Sequence, residues 1–137
     1  MDFANVNYLA VAVAAIAAWV LGAIWYSKPL FGGSWQRELK ISEDEIKNAN
    51  MARTFGGSLV LMFIMALGLA LVFQHHEGEM DWMYGLHHGL ITGLFFVATS
   101  IGIQYLYQQK SVTLWSIDSL YQTLMLGVMG AILGAWN

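Results

Sequence analysis

A cluster of histidines and carboxylates is the first part of this sequence that could bind a ligand. Imidazole and carboxylate groups together bind zinc, copper, nickel or iron. Residues 75–88 contain His75, His76, Glu77, Glu79, Asp81, His87 and His88. The cluster suggests a divalent metal site formed by His75, His76, Glu79, Asp81, His87 and His88. Its spacing matches no known metal motif, however, so a polar turn is the simpler interpretation, and we otherwise expect no cofactor.

A polar stripe begins at His88. At 100° per residue, His88, Thr92 and Thr99 fall within a sector of about 40° on one helix. An ionisable group inside a bilayer is costly, and it marks a functional site by default. The alternative is that His88 lies at headgroup depth and only forms hydrogen bonds there.

Asp118 belongs to a second stripe. Ser111, Trp115, Asp118 and Gln122 share one face of a helix. Arg53 lies at a similar depth, so an ion pair of Arg53 and Asp118 would neutralise both charges. In the functional interpretation, Asp118 and Gln122 instead form the inner end of a polar pathway for protons or a small cation, with His88 at its outer end.

The composition excludes several classes of protein. The chain has no Cys, which removes disulfides, thiolate catalysis and Cys-based metal centres. All four histidines lie in one connection and the start of one helix, so one chain cannot supply haem ligands from two helices. No nucleophile and base occur at a common depth, so we expect no enzyme activity. Only 11% of the residues are charged, which argues against nucleic-acid binding and disorder.

Long apolar runs place these residues in a membrane. About 20 apolar residues span a bilayer as a helix, and 58% of this chain is hydrophobic. Four runs qualify, at residues 5–26, 53–74, 84–107 and 113–136. We therefore predict an all-α integral membrane four-helix bundle, with residues 1–137 as a single membrane domain in contact with the lipid bilayer. The first run is expected to be a retained helix, because Asp2 stands where a signal peptide needs a basic residue.

Charge and aromatic placement predict the orientation. All six basic residues fall on one side of the membrane, in or beside the loops 27–52 and 108–112. The positive-inside rule makes these loops cytoplasmic and puts both termini outside. Aromatic residues agree, because rings favour the headgroup zone. They cluster at the inner boundary as Trp25, Tyr26, Tyr105, Tyr107 and Trp115, and at the outer boundary as Tyr8, Trp82, Tyr84 and Trp136.

The loop 27–52 is predicted to contain two short amphipathic helices. Pro29 ends the first span, because a proline disfavours helical geometry in the residue before it. Residues 34–39 and 42–46 have helical patterns, and the second begins with a capping box from Ser42 to Glu45. We expect these helices to lie on the inner membrane surface, the alternative being a solvated loop.

The stretch WYSKPLFGGSW at residues 25–35 resembles the signature that follows the first span of a bacterial membrane family called domain of unknown function 1761. Residues 94–99, 105–107 and 130–136 resemble the third and fourth spans of that family. The resemblance covers nearly the whole chain and implies four spans in a bacterial cytoplasmic (inner) membrane. It implies no established activity and no catalytic residue.

Small residues recur at four-residue spacing in three spans. Such stripes allow close packing of helices in lipid. They comprise Ala10, Ala14, Ala18 and Gly22 in the first span, Gly85, Gly89 and Gly93 in the third, and Gly127, Gly130, Ala131, Gly134 and Ala135 in the fourth. Three stripes exceed the evident need of one monomer, so we expect a homo-oligomer.

Three functions remain open. The first is a homo-oligomeric pore or transport module for protons or small cations. The second is a structural or regulatory subunit that docks a partner protein through the loop 27–52. The third is an outward-facing metal-binding protein that uses the histidine cluster.

Overall fold

A computed structural model describes residues 1–136, and these residues contain helices and no strand. The long helices are α1 (Tyr8–Trp25), α4 (Met51–Phe73) and α7 (Val112–Ala135), and the short helices α2 (Gly32–Leu39) and α3 (Glu43–Asn48) lie between α1 and α4. Helix α5 (Trp82–Thr92), a π-helical turn (Gly93–Ala98) and α6 (Thr99–Tyr107) form one continuous third span, Trp82–Tyr107. A single 3-10 turn, Phe3–Asn5, precedes α1.

Four helices in the structure are long and apolar enough to cross a membrane: α1, α4, the third span and α7. The all-helical prediction is therefore confirmed, and each helix begins and ends within three residues of its predicted span. Large apolar side chains lie exposed on the outside of the bundle, among them Ile16, Leu61, Phe95 and Leu106. Such a surface is suited to contact with lipid.

Polar residues cap the N-terminal ends of five helices. Asn7, Ser42, Asn50, Asp81 and Ser111 each accept a hydrogen bond from a backbone N–H in the first turn of the helix that follows. These bonds satisfy donors that the helix itself leaves free. The predicted start of the second loop helix is confirmed, since the Ser42 Oγ accepts from the Glu45 N–H at 3.1 Å.

Helix α7 is the centre of the fold. In an apolar stretch of 18 residues from each span, 56% of the residues of α7 are buried, against 28% for α1 and 17% for α4 and for the third span. Helix α1 and the third span pack on α7 from different sides, and α4 packs mainly on α1. Leu114, Met125, Leu126 and Met129 of α7 are almost completely buried, together with Val11 of α1.

The glycines of the third span and of α7 pack against each other within one chain. A Cβ atom on Gly85 would lie 1.8 Å from the Gly130 carbonyl oxygen, and one on Gly89 would lie 2.1 Å from the Leu126 carbonyl oxygen. Gly93 meets Thr123, Gly127 meets Leu90, and Gly134 meets the Asp81 carbonyl. In α1, Ala14 and Ala18 are fully buried, and Gly22 faces the Tyr121 hydroxyl. The stripes are thus occupied inside the monomer, which removes the reason for expecting them to bind a second copy.

Contacts between distant parts of the chain define two ends of the bundle. At one end, the Asn7 side-chain amide donates to the Trp136 carbonyl at 3.2 Å, and the Gln74 Nε2 donates to the Asp2 carbonyl at 2.7 Å. We call this the histidine end, because residues 75–81 lie there. The opposite end, which holds α2 and α3, is called the loop end.

Candidate functional site

Asp118 is the one charged side chain in the buried core of the described residues, with 9% of its surface exposed. It lies on α7, near the loop end. Its Oδ1 accepts a hydrogen bond from the Tyr26 hydroxyl at 2.6 Å, and its Oδ2 accepts one from the Tyr105 hydroxyl. Each oxygen of the carboxylate is thus held by one hydroxyl donor. Asp118 therefore joins α7 to the turn after α1 and to the third span.

A tight turn after α1 positions Tyr26. The Phe31 N–H donates to the Trp25 carbonyl at 3.0 Å, and the Gly32 N–H donates to the Ser27 carbonyl at 3.0 Å. A Cβ atom on Gly32 would lie 2.3 Å from the Tyr26 carbonyl oxygen, so this turn requires glycine. The indole of Trp25 donates to the Ile117 carbonyl of α7 at 3.1 Å. These bonds hold the Tyr26 ring beside Asp118.

Helix α2 covers the same site from the loop end. Its Trp35 ring meets the Tyr26 ring edge-on, with 5.7 Å between the centroids. The Ser111 hydroxyl donates to the Glu38 carboxylate at 2.5 Å, which ties α2 to the first turn of α7. The first half of the loop is thus docked on the bundle, whereas α3 is mostly exposed.

The π-helical turn Gly93–Ala98 positions Tyr105. A π turn contains one residue more than an α turn, so every residue after it is displaced by roughly 100° around the helix axis. This displacement places Ala98, Gly102 and Tyr105 on the side that faces α7. The indole of Trp115 on α7 donates to the Ala98 carbonyl at 2.9 Å, and Gly102 leaves room for that indole.

Two buried oxygen atoms beside Asp118 have no hydrogen-bond partner among the described residues. They are the Oγ of Ser119 and the Oε1 of Gln122. Gln122 lies one turn from Asp118 on the same face of α7, about 6 Å closer to the centre of the span. Buried polar groups normally have partners. The amide oxygen of Gln122 therefore lacks the partner that a buried acceptor normally has.

The charges near the site do not include Arg53. The expected ion pair of Arg53 and Asp118 is not formed among residues 1–136, where the only ion pair joins Lys28 and Glu43 at 3.4 Å. Both oxygens of Asp118 accept from tyrosines, and Arg53 lies exposed on α4. The ammonium of Lys110 lies 4.8 Å from the centre of the Tyr105 ring.

The chain matches the model of the family described as "Protein of unknown function (DUF1761)" over residues 9–134. The chain belongs to this family. No curated protein and no solved structure matches it. Membership in DUF1761 confirms the resemblance seen in the sequence and indicates no activity. The matched region contains Tyr26, Tyr105 and Asp118, so the whole candidate site lies within the DUF1761 domain.

At the histidine end, the predicted polar stripe of the third span does not continue toward Asp118. The Thr92 hydroxyl donates to the His88 carbonyl and the Thr99 hydroxyl to the Phe95 carbonyl, each at 2.7 Å and within the same span. The π turn lies between these threonines and rotates Thr99 away from the face that carries His88 and Thr92. The constant 100° per residue assumed from the sequence fails at this turn.

Two of the histidines, His76 and His88, stack with the ring of Tyr84. The Tyr84 ring lies between His76 and His88, with centroid distances of 4.1 and 3.9 Å. The Nδ1 of His88 lies 2.8 Å from the Tyr84 carbonyl oxygen, so this nitrogen carries a proton that it donates. Asp81 caps α5 and accepts from the Tyr84 N–H. Throughout residues 1–136, no three of the predicted ligands His75, His76, Glu79, Asp81, His87 and His88 come together in a way that holds a metal.

Sequence reasoning missed the tyrosines that bind Asp118. It assigned Tyr26 and Tyr105 to the inner boundary only as rings suited to the headgroup zone. The depth of these residues matched that of Asp118, and a buried carboxylate needs donors at its own depth. That requirement was the signal that could have identified them.

Proposed function

We propose that the protein moves protons or small monovalent cations through the membrane, with Asp118 as the ion-binding group. The observation that carries the proposal is a buried carboxylate with hydroxyl donors on both oxygens and no cationic partner among residues 1–136. An ionisable group in a membrane span is costly and is a candidate site for an ion or a proton by default. The unpartnered Oε1 of Gln122 provides a second oxygen for that ion, one turn deeper.

The proposed entrance is at the loop end, and the section beyond Gln122 is closed. Toward the histidine end, Met125 and Met129 of α7 are almost completely buried against α1 and α4. Passage of an ion therefore requires these helices to separate in a second conformation. We place the pathway within one chain, because the small-residue stripes are occupied inside the monomer. With the predicted orientation, the loop end and Asp118 face the cytoplasm.

Ion flux in proteoliposomes tests this function. The full-length protein is reconstituted with a pH-sensitive dye inside the vesicles, and flux is started by a potassium diffusion potential, with and without sodium in the medium. Flux that depends on the protein is expected for the wild type and is lost in Asp118→Asn. Asp81→Asn is the matched control, because asparagine caps a helix as well as aspartate does and Asp81 lies outside the bundle core. A dye response independent of sodium identifies the proton as the ion.

Gln122→Met separates function from folding. The Oε1 of Gln122 makes no hydrogen bond, so its removal breaks none and the variant should fold. We expect reduced flux in Gln122→Met together with unchanged or higher stability. Wild-type flux no greater than that of Asp118→Asn refutes the proposal, as does full flux in both Asp118→Asn and Gln122→Met.

If the protein is instead a docking subunit, the structure favours α3 as the helix that binds the partner. Within the loop 27–52, α2 is held on α7 by Glu38 and Ser111, while Glu43, Asp44 and Glu45 of α3 are exposed. A partner with a basic surface would therefore bind α3. If that role is correct, co-purification of the partner is lost when Glu43, Asp44 and Glu45 are replaced by glutamine, and it is retained in Asp118→Asn.

A further inference from the structure

A groove of about 450 Å³ runs along the outward face of α4 from the loop end toward the centre of the span. Its lining residues are spaced so that they share one side of the helix. They are Asn50, Arg53, Thr54, Gly57, Ser58 and Leu61. The groove is lined by α4 alone, and it has a polar end beside the loops and an apolar end within the membrane.

No other part of the described chain fills this groove. A Cβ atom added to Gly56 or Gly57 would meet nothing within 4 Å, whereas the glycines of α7 lie against neighbouring helices. Arg53 has no ion-pair partner among residues 1–136, because the only ion pair there joins Lys28 and Glu43. The groove thus presents an open floor and a free positive charge.

The guanidinium of Arg53 is the group in this groove available to recognise a ligand. The hydroxyls of Thr54 and Ser58 donate to backbone carbonyls one turn earlier, those of Asn50 and Thr54, at 3.1 and 2.6 Å. A guanidinium binds a phosphate through two parallel hydrogen bonds. Arg53 lies in the first turn of a membrane-spanning helix, which is the depth of lipid phosphates.

We propose that the groove binds one anionic phospholipid. Its phosphate contacts Arg53, and one acyl chain follows Gly57 and Leu61, about 12 Å further along α4. Charge complementarity favours an anionic lipid over a zwitterionic one, because the cation in a zwitterionic headgroup cancels the phosphate charge that Arg53 attracts. This site is separate from the ion site at Asp118, because it is formed by α4, which contributes no residue to the ion site.

Lipid retention measured by native mass spectrometry tests the proposal. The full-length protein in detergent is titrated with phosphatidylglycerol or with phosphatidylcholine of the same acyl chains. We expect one phosphatidylglycerol to bind at least about tenfold more tightly than phosphatidylcholine, and Arg53→Gln to remove most of that preference, as expected for one charge-assisted contact. Arg37→Gln is the matched control, because Arg37 is exposed on α2 and its guanidinium bonds only to Ser34.

A second variant tests the acyl-chain part of the groove. Gly57→Leu fills the floor and leaves the charge of Arg53 in place, and the open space around Gly57 allows the fold to form. We expect it to weaken phosphatidylglycerol binding too. Equal retention of the two lipids by the wild type overturns the proposal, as does an equal loss in Arg37→Gln. A dimer that Gly57→Leu abolishes while lipid retention is unchanged would identify a second copy as the occupant instead.

Discussion

The close contact between the third span and α7 predicts that Gly85→Ala will destabilise the protein strongly. The new Cβ would lie 1.8 Å from the Gly130 carbonyl oxygen, and such contacts do not occur below 3.0 Å. The neighbouring atom is backbone, so it cannot rotate away, and the two helices must separate. Overpacking of this kind costs about 1–3 kcal/mol. Separation would also weaken the contacts of Gly89 and Gly134 and the indole bond from Trp115.

Gly68→Ala is the control, because a Cβ there meets nothing within 4 Å. Alanine favours a helix over glycine by about 1 kcal/mol, so this variant should be slightly more stable than the wild type. The same gain partly offsets the clash in Gly85→Ala, which leaves a net loss of up to about 2 kcal/mol.

Unfolding of both variants in mixed micelles, followed by circular dichroism as the fraction of denaturing detergent rises, measures the difference. If Gly85→Ala and Gly68→Ala unfold at the same detergent fraction, the third span and α7 do not pack through their glycines, and the reasoning is refuted.

Two further predictions concern the contacts that hold the candidate site. Trp115→Phe removes the indole donor from the Ala98 carbonyl, so we expect a loss of about 1–3 kcal/mol in the same unfolding assay, whereas Trp82→Phe, at an exposed position, should change little. Glu38→Ala removes the acceptor of the Ser111 hydroxyl, which costs ~1 kcal/mol. Hydrogen exchange of the backbone amides in residues 32–39 should therefore accelerate about fivefold. Glu45→Ala, on the exposed α3, should leave that exchange unchanged. Unaltered exchange in Glu38→Ala would show that α2 is held by other contacts.

The sequence was sufficient to predict the helices because their cause is local. A span needs about 20 apolar residues whatever surrounds it, and Pro29 and Ser42 act on their immediate neighbours. The small-residue stripes also predicted close helix packing correctly. They could not identify the partner, because Gly85 and Gly130 would allow the same approach in another copy of the chain as in their own.

The candidate site depended on a feature that periodicity does not contain. Asp118 and Gln122 were identified because both lie on one regular helix, α7. Tyr105 lies beyond the π turn, and the expected pairing of His88, Thr92 and Thr99 failed at the same turn. A π turn is stable where contacts with another helix compensate for the irregular backbone. Here the indole of Trp115 on α7 donates a hydrogen bond to the Ala98 carbonyl. Since this compensation comes from α7, the sequence of the third span alone does not predict it.

The two tyrosines give Asp118 a means of linking its charge to the arrangement of the helices. An ionised carboxylate accepts hydrogen bonds on both oxygens, whereas a protonated one becomes a donor at one of them. Under the proposed function, a proton on Asp118 therefore weakens the bond to either Tyr26 or Tyr105. Tyr26 is joined to the turn and to α2, and Tyr105 follows the π turn. Protonation of Asp118 would then loosen α1 or the third span from α7 at the loop end, where we place the entrance, and α1 is also one of the two helices that bury Met125.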